Sequence, residues 1–307
     1  MTLNTAAHSL RVSAIQQSCS SDKQQSLATS ERLVRQAASD GAQLVVLQEL
    51  HATLYFCQTE DTTNFELAEP IPGPTSERLS GLARELGIVL VGSIFERRMN
   101  GVYHNTAVVF DSDGSLAGLY RKMHIPDDPG FYEKFYFTPG DARCNNGASG
   151  FTPVQTSLGK LGVLVCWDQW YPEAARLMAL AGAELLIYPT AIGWDMTDDD
   201  DERSRQLDAW VTVQRGHAVA NNLPVIAPNR VGNEPDPSGQ GDGIRFWGNS
   251  FICGPQGEFL ARANERDETV LTIDLDTHRS ESVRRIWPYL RDRRIDAYDD
   301  LLKRVRD

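Results

Sequence analysis

Cysteine is scarce and does not pair up in this sequence: Cys19, Cys57, Cys144, Cys166 and Cys253 are five scattered residues in 307, never in a C-x-x-C arrangement. An odd, dispersed set argues against a disulfide framework and a structural zinc site, and it suits a reducing cytoplasm. Histidine is also sparse, and His124 and His217 share no ligand spacing, so no metal is expected. The first residues lack a basic segment followed by a long apolar one, so no secretory signal is expected. No apolar run approaches the roughly 20 residues that a membrane-spanning helix needs. Basic residues are outnumbered, 30 Lys and Arg against 42 Asp and Glu, for a formal charge of −12. That balance disfavours nucleic acid and anionic membrane as partners and is friendly to a cationic ligand. With no internal repeat and no evident linker, residues 1–307 read as one domain, of which 278–307 form a tail.

What is present is an alternation of short apolar runs and helical patterns. Residues 11–16 and 44–47 read as strands around a helix over 26–39, a β-α-β unit. A helix over 75–86 follows, then strands at 88–95, 105–110 and 116–120, the last two as a hairpin. Residues 126–150 read as a long functional loop. The strand 162–165, a helix opened by Pro172 and a strand at 185–188 make a second unit. A helix over 203–221, a strand at 224–228, a flexible loop at 234–243, a hairpin at 249–263 and a strand at 269–274 complete an α/β domain with mixed strands.

Three reactive side chains share one kind of address. Glu49, Lys122 and Cys166 each follow a strand-like run, and parallel strands of one sheet would bring their carboxyl ends to one edge. Cys166 also precedes a helix, a place where a thiolate is favoured. A thiol, a carboxylate and an ammonium gathered there would suit acyl transfer.

The words around these residues carry a resemblance. LVVLQEL around Glu49, YRKMHIPDDPGFYEKFYFTPGD around Lys122, VLVCWDQWYPEAARLMALAGAELLIYPTAIG around Cys166 and the later RFWGNSFICGPQGEFL resemble the nitrilase (carbon–nitrogen hydrolase) superfamily. The resemblance implies a four-layer α-β-β-α sandwich that pairs through helices outside the sheets, here the helix after Cys166 and the tail. It implies Cys166 as nucleophile, Glu49 as general base, Lys122 as oxyanion-stabilising cation and Glu133 as a supporting glutamate, with no metal or organic cofactor. The backbone N–H of Trp167 would be the second oxyanion donor.

Within the superfamily, Gln169 and Trp170 stand where branches acting on carboxylate-bearing substrates tend to place an Arg. The stretch looks most like the branch that hydrolyses N-carbamoylputrescine, a small cationic ureido substrate. Tyr132, Trp167 and Asp168 are then the expected substrate contacts. Two alternatives stay open: an amidase acting on another N-carbamoyl amine or N-carbamoyl-β-amino acid, and a non-catalytic scaffold or thiol sensor. A homo-oligomer, dimer or larger, is expected from the apolar Trp287, Pro288, Tyr289 and Leu290 in an otherwise charged tail.

Overall fold

The computed structural model describes residues 9–143, 149–239 and 241–306, so Cys144 lies outside the described residues. The amino-terminal half builds one sheet. Strands β1 (Ser9–Gln16), β2 (Leu44–Val46), β3 (Val89–Met99), β4 (Val102–Phe110) and β5 (Leu116–Arg121) lie in the order β1-β2-β3-β4-β5. The other half builds a second sheet from β6 (Val154–Thr156), β7 (Gly159–Val163) and β8 (Leu185–Ile187), and three strands that follow in the chain. Between β8 and those strands lies β9 (Gly193–Asp195). Then come β10 (Val225–Ala227), β11 (Val231–Glu234), β12 (Ile244–Trp247), β13 (Phe251–Cys253), β14 (Phe259–Arg262) and β15 (Thr269–Asp276). The second sheet runs β14-β13-β10-β8-β7-β6, β15 closes the first sheet beside β1, and β11-β12-β9 form a small third sheet.

Side-chain alternation along the strands explains the layering. Leu44 and Val46 point into the core shared by the two sheets, where Val12, Ala14, Val89, Val91, Val163, Leu185 and Ile187 meet them. Val45 points the other way, with Ile15 and Leu90, onto helices α1 (Lys23–Ser39) and α2 (Pro74–Leu86) through Leu33, Val34, Leu79 and Leu82. The second sheet is covered likewise, after the short α3 (Glu133–Tyr136), by α4 (Pro172–Leu180) and α5 (Asp200–Asn221). Ala174, Ala175 and Met178 of α4 and Trp210, Val211 and Ala218 of α5 are its buried residues there. Each strand buried on both faces needs a helix on one side and a sheet on the other, and the result is a four-layer α-β-β-α sandwich.

The helix ends are set by local caps. Asp22 caps α1 by accepting from the Gln24 N–H at 2.8 Å, and α2 stops at Gly87, whose φ of 65° suits glycine. The loop 234–243 needs correction: Glu234 ends β11 and is buried, paired across to Ile244 of β12. The strands of the small third sheet are three or four residues long and carry no sustained alternation, so only their pairing reveals them. After β15, α6 (Arg279–Ile286) opens the tail and short 3₁₀ turns follow it.

Candidate active site

Glu49 follows β2 and Lys122 follows β5, and both strands run the same way in the first sheet. Cys166 follows β7, which belongs to the second sheet. The expected single sheet edge is therefore two edges meeting across the sandwich, joined where the Glu49 N–H donates to the Thr190 carbonyl at 3.4 Å. At that seam the Lys122 ammonium donates to Glu49 Oε1 at 2.9 Å and to Glu133 Oε2 at 2.6 Å. Asn105 Nδ2 donates to the same Glu49 oxygen at 2.6 Å, and the Ala191 N–H donates to the other at 2.9 Å. The Tyr55 hydroxyl donates to Glu133 Oε1 at 2.8 Å. Glu49 and Lys122 have no solvent exposure and Glu133 has 1 %.

Burying three charges is tolerable only because each is hydrogen-bonded. Burial works against the Lys122 ammonium, but Glu133 and Glu49 hold it and raise its pKa well above the usual lysine value. Two carboxylates share that one cation. Burial first, and then repulsion from Glu49, outweighs the pull of Lys122 on Glu133, whose carboxyl is pushed up to about 7. The Cys166 thiol is likewise raised well above its usual value by burial and by Glu49, with Lys122 and the Ala191 N–H opposing. The thiolate expected from the helix alone is thus not the resting form. A 3₁₀ turn over Cys166–Trp170 separates the thiol from the start of α4, and the helix end acts only over its first turn.

Cys166 has φ of 42°, a left-handed conformation uncommon for a residue with a Cβ. Asp168 holds this turn. Its Oδ2 accepts from the Val165 N–H and the Tyr120 hydroxyl, each at 2.9 Å. Its Oδ1 accepts from the His124 N–H at 3.0 Å and meets His124 Nδ1 at 2.6 Å. The His124 ring lies flat on Tyr171, centroids 3.8 Å apart. Asp168 is therefore fully buried and saturated, which corrects its expected place at a substrate ammonium. The Trp167 N–H has no hydrogen-bond partner among the described residues, while the Cys166 N–H donates to the Pro189 carbonyl at 2.9 Å.

A cavity of about 400 Å³ opens onto the thiol. Its wall includes Cys166, Glu133 and Trp167, with Tyr55, Phe131, Trp170 and Trp247 as further rings and Asp128, Asp195 and Asp198 as carboxylates. Tyr132 is not part of this wall: its N–H donates to the Cys57 carbonyl at 2.8 Å, and the neighbouring Phe131 faces the cavity instead. No Lys or Arg lines the cavity among the described residues, and no group of three or more His, Cys, Asp and Glu there is arranged to hold a metal ion.

The sequence pattern described as Carbon-nitrogen hydrolase matches residues 11–285. The chain belongs to the carbon-nitrogen hydrolase family. It is 47% identical over 294 residues to an N-carbamoylputrescine amidase of Solanum lycopersicum, covering 95% of this chain and 94% of that protein. It is 40% identical over 300 residues to a citrullinase of Francisella tularensis, covering 96% of this chain and 99% of that protein. A carbon-nitrogen hydrolase of Helicobacter pylori G27 superimposes with a TM-score of 0.93 at 53% identity, covering 97% of this chain and all of that one.

Membership in the carbon-nitrogen hydrolases gives the cluster a frame, and the structure adds partners that the sequence did not suggest. Tyr55 lies in a segment with no periodicity, Asn105 sits inside a strand, and Ala191 contributes only its backbone. Of the cavity carboxylates, Asp198 opens an acidic run, 198–202, in the sequence. It reads as exposed surface until β9 and the start of α5 bring Asp195 and Asp198 to the cavity.

Proposed function

We propose that this chain hydrolyses N-carbamoylputrescine to putrescine, carbon dioxide and ammonia, a step of polyamine biosynthesis in the cytoplasm. One observation carries the choice of substrate. A largely aromatic cavity that holds a thiol is edged by Asp128, Asp195 and Asp198, none of which forms an ion pair with a described residue. Such a cavity suits an uncharged ureido group joined by an apolar chain to an ammonium, which carboxylates and ring faces both attract.

Cys166 Sγ attacks the ureido carbonyl carbon while Glu49 takes the thiol proton. Because the resting thiol is neutral, that transfer belongs to the attack itself. Lys122 and the Trp167 N–H hold the oxyanion, and Glu133 with Tyr55 keeps Lys122 in place. The bond from carbon to NH₂ breaks, and ammonia leaves with the proton from Glu49. A carbamoyl group remains on Sγ as a thioester. Glu49 then takes a proton from water as its oxygen adds to that carbonyl; Sγ leaves, and the carbamate released loses carbon dioxide to give putrescine.

The 40% identical citrullinase supports a second reading, since citrulline carries the same ureido group and an ammonium but adds a carboxylate. A cavity edged by three carboxylates disfavours that addition. Ammonia release from N-carbamoylputrescine, citrulline and N-carbamoyl-β-alanine, with Cys166→Ala as blank, separates the readings. The expected kcat/KM for N-carbamoylputrescine exceeds that for N-carbamoyl-β-alanine by about 100-fold, the value of one good ionic hydrogen bond and one avoided repulsion, and that for citrulline, which keeps the ammonium, by about tenfold. A preference for either carboxylate-bearing substrate rejects the proposal. Ammonia-independent oxidation of Cys166 without turnover of any amide would favour the thiol sensor.

The same proposal includes a homo-oligomer. Leu177 and Leu180 on α4 and Trp287, Leu301 and Leu302 in the tail are exposed apolar residues on elements outside the sheets. Several large apolar side chains left in water suit a second copy as their cover.

A further inference from the structure

Arg230 lies just before β11, and its side chain has no solvent exposure. Its guanidinium donates to four acceptors. Nη2 reaches the carbonyls of Glu49 at 3.2 Å and Leu50 at 2.8 Å. Nη1 reaches the Thr53 carbonyl at 2.9 Å and Glu234 Oε1 at 2.6 Å. The other oxygen of Glu234 accepts from the Tyr55 N–H at 2.6 Å. The guanidinium also lies over the Phe246 ring, 5.2 Å from its centroid, and Phe246 packs edge-on against Tyr55.

The placement of these contacts is what matters. Leu50, next to the general base, has φ of 47°, an uncommon left-handed conformation for a branched residue. Something must hold that turn, and Arg230 does so through the carbonyls of the two peptide links that flank Leu50. Tyr55, held by Glu234 through its backbone, donates its hydroxyl to Glu133. Four residues of regular strand would separate Arg230 and Glu234 by about 13 Å. The strand keeps its register through Gly232, so the two long side chains close that distance themselves.

We propose that Arg230 and Glu234 are a buried positioning pair that fixes both glutamates around Lys122, Glu49 through its own backbone and Glu133 through Tyr55. The proposal rests on the roles given above to Cys166, Glu49 and Glu133, and not on which amide is hydrolysed. An ordinary buried ion pair would tie its own strand to the core. This one spends its hydrogen bonds on the loop that follows β2, over Glu49–Tyr55, and the small third sheet thereby braces the catalytic seam.

Arg230→Lys keeps the charge and removes the fork that reaches several carbonyls at once. In the full-length protein it is expected to lower kcat about tenfold or more while KM stays within about twofold, because misplacing reacting groups costs rate rather than ground-state binding. Thermal unfolding is followed in parallel. Wild-type kcat with only a lowered midpoint would make the pair merely structural and overturn the proposal. A raised KM with unchanged kcat would place Arg230 in substrate binding and also overturn it. Glu234→Gln is the second variant, since its amide must oppose a donor of either Arg230 or Tyr55. A similar loss in kcat is expected, and wild-type turnover counts against the proposal. The comparison uses whichever amide the wild-type protein hydrolyses, so the substrate assignment can fail separately.

Discussion

At Glu133, one buried ammonium has to serve two carboxylates, and the consequence is measurable. The carboxyl is raised from 4.5 to about 7 in the folded chain, chiefly by burial. Between those pH values the folded state holds a proton that the unfolded state has released. Its contribution to stability is therefore full below about pH 4.5 and is lost as pH rises through 7. The loss is on the order of 3 kcal/mol at about 1.4 kcal/mol per pH unit. Buried His51 and His217 pull the other way. Burial lowers them to about 3 and about 4, so they destabilise the fold as pH falls below 6.5. The difference between the wild-type and Glu133→Gln denaturation curves isolates the glutamate. That difference is expected to shift across pH 5–7 in favour of the variant at higher pH. A pH-independent difference would show that Glu133 is ionised throughout.

At the scale of elements, the placement of Cys166 depends on a turn more than on a helix. Val165, Cys166 and Asp168 form one hydrogen-bonded unit, anchored on β5 through Tyr120 and on the following residue run through His124. Asp168→Asn keeps the volume but sets an amide against donors on one side. The expected loss is about 1–3 kcal/mol of stability and a fall in kcat of about tenfold or more. Thermal unfolding and alkylation of Cys166 by a haloacetamide, with Cys166→Ala as reference, check it. Unchanged midpoint, alkylation and turnover would remove Asp168 from the positioning of the thiol. Element types were legible where apolar periodicity is strong, as in α1, α2 and the β4–β5 hairpin, whereas the caps Asp22 and Gly87 were found only in the structure. The third sheet was not legible, because strands as short as Gly193–Asp195 are defined by what pairs with them.

For the whole molecule, the four layers leave one kind of surface unfinished. Leu180 is 50 % exposed and Leu302 is 95 % exposed, on α4 and in the tail. Leu180→Glu combined with Leu302→Glu is expected to shift the sedimentation of the chain towards the monomer, since each buried charge would go unpaired. A wild-type protein that already sediments as a monomer would end the oligomer proposal. The sequence by itself determined the α/β class and the order of its main strands and helices, and its resemblance to the carbon–nitrogen hydrolases singled out Glu49, Lys122, Glu133 and Cys166, of which the structure brings Glu49, Lys122 and Glu133 into hydrogen-bond contact. Local patterns and short motifs suffice for these because each is a property of consecutive residues. Only the tertiary structure decided that Cys166 and Glu49 follow strands of different sheets, that Asp168 is a buried brace, and that Asp128, Asp195 and Asp198 edge the cavity. Those facts depend on which distant residues meet and on how much water remains between them, and no stretch of sequence carries either quantity.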